Sequence, residues 1–260
     1  MRSLFNKAEW FNTNYDIGIA NDSKEVDELH KLRYDIFNVE LKEGIKENEA
    51  TQRDIDKFDA NCDHLIIKDK TGTIIATYRI HPSWKIHKEG FYTATEFEIS
   101  KLKLEKRRSI EVGRACIHPD HRSKSMIIVM LWVGIRKYCE QNKVEVLFGV
   151  ASIPACTKEE VSSLYYDLIN KGFLINDGSV TPLPNQKVEI VKDPPQTYRK
   201  ELMGSLIKGY MKIGANLIGP PVFDPIFRCY DFFVLLEMKS VNWEYVDSLS
   251  KLLSMEEGKN

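Results

Sequence analysis

Residues 110–135 read IEVGRACIHPDHRSKSMIIVMLWVGI. A strand-like run ends in His-Pro, a short basic turn follows, and an almost wholly apolar helix begins. A buried strand feeding a basic turn at a helix N-terminus suits holding a phosphate-bearing group against a sheet. Glu111 and Arg114 lie three apart beside Gly113. In a regular strand residues 111 and 113 face one way, and 112 and 114 the other. A glycine inside a strand marks a bulge or the close approach of a ligand. A bulge leaves a backbone N–H unpaired, which is what an oxyanion requires. An ordinary Glu–Arg ion pair on a plain strand fits the same spacing.

The surrounding 260 residues suffice for one large domain or two small ones. The apolar content of 43% is that of a packed chain. The 37 basic and 38 acidic residues balance to −1, which argues against a non-specific nucleic-acid binder. The N-terminal MRSLFNKAEWFNTN has no continuous apolar h-region, so no secretory signal is expected. The apolar run Met126–Ile135 is too short to span a bilayer. Five cysteines without a C-x-x-C suggest reduced thiols in a cytoplasmic protein.

Outward from the quoted stretch, the periodicity predicts a strand at Asn14–Ala20 and a helix at Ser23–Leu41 capped by Ser23. His64–Asp69 and Thr73–His81 form a hairpin around KTG. A short strand covers Glu96–Ile99. Strand Ser109–Ile117, helix Ser125–Gln141 and strand Val144–Ala151 follow. Thr157–Asn170 is helical, with Thr157 and Glu160 as a capping box. Asn176–Pro195 is loop, interrupted by a strand at Lys187–Val191. A helix at Glu201–Ile218 stops at GPP, a strand spans Asp231–Met238, and a helix at Asn242–Met255 closes the chain before frayed last residues. This pattern predicts one α+β domain over residues 1–260 with a mixed central sheet.

Several side chains can carry chemistry. Arg122 and Lys124 stand at the start of the Met126 helix, where orphan N–H groups point; an anion site and a solvated helix start both fit. Glu40, Glu43, Glu47, Glu49, Asp54, Asp56, Asp59 and Asp63 fall within 24 residues. They read as a solvated face or, folded over a pocket, as an ammonium site. Arg33 and Phe37 share a helix face, where an Arg holds a carboxylate or snorkels. The six histidines lack metal spacing and no second cysteine joins Cys116, so no metal is expected. Tyr165 and Tyr166 are core residues or proton donors.

In order along the chain, IEVGRACIHPDHR, MLWVGIRKY, VLFGVASI, LIKGYMKIGANLIGPPVFD and DFFVLL resemble the bacterial ornithine-lipid-type N-acyltransferases of the GNAT superfamily. That family is similar to acyl-homoserine-lactone synthases. The likeness to these shows in Arg33 with Phe37, DIDKFD at 54–59, YRIHP at 78–82 and E-x-x-R at 111–114. The resemblance covers roughly residues 15–240. It implies a GNAT-like fold, a mixed central sheet with helices on both faces. It also implies transfer of a long, often 3-hydroxylated acyl group from a phosphopantetheine thioester to the amino group of an amino acid such as ornithine. The donor is acyl carrier protein or coenzyme A, with no tightly bound cofactor. Glu111 becomes the base and Arg114 its orienting partner. A bulge N–H near Gly113 becomes the oxyanion donor, and Tyr165 or Tyr166 the acid. Backbone at Ala115, Cys116 and Ile117 pairs with pantetheine. Arg122, Lys124, Ser125 and Met126 take its phosphate. Arg33, Phe37, Asp54, Asp56, Asp59, Arg79 and Ser152 shape the acceptor end.

Two departures bear on these roles. The superfamily's pyrophosphate loop carries glycines, whereas this one reads RSKSMI; the lack favours a carrier protein, whose arm bears one phosphate, over coenzyme A. Tyr166 stands six residues before Gly172, off the family spacing for the acid. A lactone-forming signal synthase and a non-catalytic module that binds acyl carrier protein or a membrane are the competing readings. The helix at 201–218, with Lys208 and Lys212 opposite its apolar stripe, is the element that would touch the inner face of the membrane.

Overall fold

A computed structural model of the chain describes residues 1–5, 14–123, 125–195 and 197–248, with backbone only at Ser125, Ser205 and Leu206. The first half of the sheet is β1 (Arg2–Ser3), β2 (Tyr15–Ile19), β3 (Asp63–Asp69), β4 (Ile74–Pro82) and, after the short β5 (Phe97–Glu98), β6 (Ser109–Ile117). The second half holds β7 (Val146–Pro154), β8 (Leu174–Ile175), β9 (Thr181–Pro182), β10 (Asn216–Ile218), β11 (Val222–Asp224) and β12 (Cys229–Glu237). The helices are α1 (Ser23–Tyr34), α2 (Ser125–Asn142), α3 (Lys158–Asn170) and α4 (Ser205–Lys212). Ten strands form one sheet in the order β1-β2-β3-β4-β6-β7-β12-β10-β8, with β11 on β12, while β5 and β9 pair separately.

Strand alternation sends side chains to two cores. Leu65 and Ile67 of β3, Leu147 and Ala151 of β7, and Phe232, Val234 and Leu236 of β12 pack with α2 and α3 through Ile127, Met130, Ile135, Val161 and Leu164. On the other face Ile66 meets Leu29, Leu32 and Ile36 of the α1 region. Phe148, Phe233 and Leu235 meet Phe91, Phe97 and Leu104 there. Helices therefore cover both faces, as the resemblance implies.

The β3–β4 hairpin and the Thr157–Glu160 capping box form as the sequence predicts. Other boundaries move for local reasons. Asp22, one residue before Ser23, caps α1 by accepting from the Glu25 amide. The helix expected to Leu41 changes to π-helical winding over Asp35–Glu40. The helix expected over 201–218 is reduced to a 3-10 turn at Lys200–Leu202 and α4. Gly214, at φ 93°, ends it, and Asn216–Ile218 becomes β10. The strand expected at Lys187–Val191 is a single bridge from Lys187 to Val222. Of the C-terminal helix, residues 243–248 are helical and the remainder lies outside the described residues. Among the described residues, no helix is long and apolar enough to cross a membrane. The buried side of α4 packs inward through Ile207 and Tyr210, whose ring meets Trp132 edge-on at 5.0 Å.

The feature that positions the site lies between β6 and β7. They pair in parallel over four residue pairs, from Ser109↔Val146 to Val112↔Gly149. Beyond that, β6 stays with β4 as far as Ile117, and β7 stays with β12 as far as Pro154. The two strands part, and a gap opens. At its apex a Cβ on Gly149 would sit 2.3 Å from the Val112 carbonyl oxygen. Gly149→Ala is therefore expected to force the strands apart at the apex and lower the melting temperature. An unchanged thermal melt would show that the contact is relieved without cost.

Candidate active site

Two chambers open at the gap. One, of about 320 Å³, is lined in part by Phe37, Arg79, Glu111, Gly113, Arg114 and Ala115 from the first half of the chain. From the second half it is lined by Ser152, Asp224 and Asp231. The other, of about 340 Å³, is mostly apolar and runs along α2, lined by Ile36, Cys116, Ile117, Arg122, Ile128, Leu131 and Trp132. Phe37, Leu41, Tyr78 and Ala115 belong to both walls, so the chambers meet there.

Glu111 is 5% exposed. Its Oε2 accepts from the Tyr92 amide (2.9 Å), and its Oε1 from the Thr93 amide (2.6 Å) and the Thr93 hydroxyl. His81 Nδ1 stands 3.7 Å from Oε2, beyond hydrogen-bond length, so its influence is electrostatic. Burial pushes the Glu111 carboxyl up, but these neighbours and Arg79 outweigh it and hold it below the usual carboxylate range.

A bulge does form next to Gly113, one residue later than the glycine suggests. Arg79 pairs with Gly113 and Thr77 with Cys116, leaving Arg114 and Ala115 opposite Tyr78 alone. Arg114 takes the left-handed φ of 52° that costs a side chain ~1–2 kcal/mol. Its guanidinium is gripped by Asp56 (3.2 Å) and Asp54 (3.4 Å). Gly113 itself has no positive φ, and a Cβ there would meet nothing within 4 Å. Its missing side chain keeps the chamber open.

Arg33, Asp54, Asp56, Asp59 and Arg79 come together, but with one another. Arg33 Nε donates to Asp54 (2.6 Å), and its terminal nitrogens donate to both Asp59 oxygens (2.7 and 3.2 Å). Arg79 donates to Asp56 at 2.6 Å and lies 3.5 Å from Asp59. Burial pushes Asp59 up, but Arg33 and Arg79 pull it far below its usual value. Arg33 is fully buried and absent from both chamber walls, so the expectation that it touches the acceptor is corrected: it braces the floor. The acidic run is likewise no free ammonium site, because Asp54, Asp56 and Asp59 are neutralised by Arg33, Arg79 and Arg114. His30 and His64 gather around Asp59, each 3.9 Å from its Oδ1, a convergence their spacing did not reveal. Burial pushes His64 down to about 3, so it stays neutral there.

At the helix entrance, Arg122 does not stand free for a phosphate. Its terminal nitrogens donate to both Glu40 oxygens and its Nε to the Ile117 carbonyl (2.9 Å). Lys124 and the Ser125 side chain lie outside the described residues, and Met126 is half-buried at the start of α2. Tyr166 is misplaced for an acid: it lines a separate cleft with Asp167, Asn170 and Lys192, and its ring meets Tyr165. Tyr78, at the junction of the chambers with its hydroxyl paired to that of Tyr210, was missed, as was Tyr92. Tyr92 sits in no motif, and Tyr78 opens the YRIHP run without a spacing that assigns it a role; the β4–β6 bulge lies opposite Tyr78 at the gap.

Parting of a parallel pair in a mixed sheet, above a chamber holding an anchored carboxylate, defines the class: this is an N-acyltransferase of the GNAT fold. Residues 32–133 match the acetyltransferase (GNAT) domain family. The chain is 30% identical over 251 residues to the L-ornithine N(alpha)-acyltransferase of Brucella abortus, covering 89% of this chain and 87% of that protein. It is 30% identical to the Rhodobacter capsulatus enzyme of the same name, covering 88% of this chain and 92% of that one. The chain belongs to the L-ornithine N(alpha)-acyltransferase family. Among solved structures, FeeM, an N-acyl amino acid synthase from uncultured soil microbes, shares the fold with a TM-score of 0.51 at 12% identity. The match covers 86% of this chain and 91% of that one.

Proposed function

We propose that the chain transfers a fatty acyl group, 3-hydroxylated in its usual form, from acyl carrier protein to the α-amino group of ornithine. The observation that carries this reading is the parting of β6 and β7 after Val112 and Gly149. The phosphopantetheine arm threads that gap beside the backbone of Ala115–Ile117, and the acyl chain lies in the apolar chamber along α2. The relatives' activity supports the acceptor, and the glycine-free turn supports the carrier protein over coenzyme A.

In this reading the amine enters the polar chamber beside Glu111. Glu111 Oε2 accepts one bond from a backbone amide, leaving it free to take the ammonium proton directly or through water. The freed nitrogen attacks the thioester carbonyl carbon, the C–S bond breaks, Tyr78 gives its proton to the leaving thiolate, and the nitrogen's second proton, shed as the amide forms, restores the Tyr78 hydroxyl directly or through water. A backbone N–H of the Arg114–Ala115 bulge faces the developing oxyanion. Arg122 reaches the arm's phosphate by exchanging Glu40 for it. Both groups are more than a third exposed, so that exchange costs little.

Purified protein given 3-hydroxyacyl-carrier protein and ornithine is expected to release thiol and yield the N-acylornithine mass. Acyl-coenzyme A is expected to give a lower kcat/KM. A lactone formed from S-adenosylmethionine, or no thiol release with any amino acid, would overturn the reading.

A further inference from the structure

Three carboxyl groups outside every sequence motif for catalysis converge beside the polar chamber, Asp224 and Asp231 on its wall and Glu96 behind them. One oxygen each from Glu96, Asp224 and Asp231 lies within 4.8 Å of the others. The residues are 3%, 3% and 2% exposed. Among the described residues, no lysine or arginine forms an ion pair with any of them; Arg114, the nearest guanidinium in the chamber, is turned to Asp54 and Asp56. Glu96 Oε2 is buried and has no hydrogen-bond partner. The Tyr92 hydroxyl lies against both Glu96 and Asp224, but it has one proton and donates it to Asp224 at 3.0 Å. Burial and the neighbouring Asp231 and Asp224 push the Glu96 carboxyl far up, and burial pushes Asp231 up as well. A cation is what this wall lacks.

We propose that Glu96, Asp224 and Asp231 form the subsite for the second, side-chain ammonium of a diamino acid acceptor. This inference rests on the amino-acid acylation proposed above and assigns its selectivity. Asp224 and Asp231 line the same chamber as Glu111. One amine of the acceptor then faces the thioester while the other points at the carboxylates, with Glu96 behind them. A divalent metal is a poorer occupant. Asp224 Oδ1 already accepts from the Ile226 and Phe227 amides, and Oδ2 from Tyr92, which leaves too few free oxygens for a calcium or magnesium shell.

The test compares ornithine with norvaline, which has the same carbon chain without the terminal amine. Wild type is expected to prefer ornithine in kcat/KM by on the order of 10²-fold or more, because norvaline leaves the buried carboxyl groups without a partner. Asp231→Asn and the isosteric Glu96→Gln are each expected to cut that ratio to within about tenfold. An unchanged ratio in either folded variant overturns the subsite. Calorimetric binding of the two amino acids without acyl donor decides the matter even if no transfer occurs. Equal affinities in wild type overturn the subsite, whereas tighter ornithine binding supports it while absent thiol release refutes the transfer reading alone. Stabilisation by Mg²⁺ or Ca²⁺ that Asp231→Asn abolishes would assign the cluster to a metal instead.

Discussion

Glu111→Gln is expected to lower kcat by ~10²–10⁴, the usual contribution of a positioned proton acceptor. The substitution preserves volume and its remaining oxygen still accepts from the Thr93 amide, but its NH2 faces the Tyr92 amide and loses that bond, so a thermal melt establishes the fold before kcat is read. What is lost is an ionised oxygen beside the acceptor. Glu111 is the chamber carboxylate held ionised by its neighbours, whereas Asp231 on the opposite wall is pushed toward the neutral form. The pH profile follows in sign. Because the Glu111 carboxyl sits below the usual range, it is already a carboxylate throughout neutral pH. Because Glu111 takes its proton from the acceptor's ammonium, kcat/KM stays level through neutral pH and falls as the free acceptor's amine deprotonates near its ordinary value of ~8. Wild-type kcat in folded Glu111→Gln would remove this residue from proton transfer.

Arg33→Met is expected to destabilise the chain by ~3–5 kcal/mol, measured by urea unfolding at neutral pH. It leaves Asp54 fully buried and Asp59 nearly so, with their strongest partner gone. The pH dependence carries the diagnosis. The Asp59 carboxyl is far lower in the folded than in the unfolded chain, so its contribution is present above the ordinary aspartate value of ~4. It is lost as pH falls toward the depressed folded value. In Arg33→Met that acid-side loss shrinks, and the two proteins converge in stability at low pH. A parallel offset at all pH values would point to lost packing instead of lost pairing.

Of the strands flanking the gap, β7 is legible as a largely apolar run, and β6 as a run of Ile, Val, Ala and Cys interrupted by Glu111, Gly113 and Arg114. Spacing alone left Glu111 and Arg114 open to a plain ion pair, and the family resemblance gave them with Gly113 their proposed roles; all three line the same chamber. The acceptor end was misread because sequence shows charges but not their partners. Arg33 and Asp59 are 26 residues apart and meet only through the packing of α1 on β4. Asp224 and Asp231 lay inside quoted family runs, yet their convergence with Glu96 depends on β11 folding back on β12. The 201–218 segment failed because helical periodicity continued past Gly214, where the backbone turns into a strand.

The contact between Gly149 and the Val112 carbonyl makes the opening a wedge with a fixed point. On the proposed reading, a longer guest cannot gain room by prying at that end, where backbone meets backbone. Added methylenes have to be absorbed at the opposite extremity, against Ile128, Leu131 and Trp132 on the helix face. The depth of that side-chain floor, rather than the width between strands, would act as the ruler for hydrocarbon length.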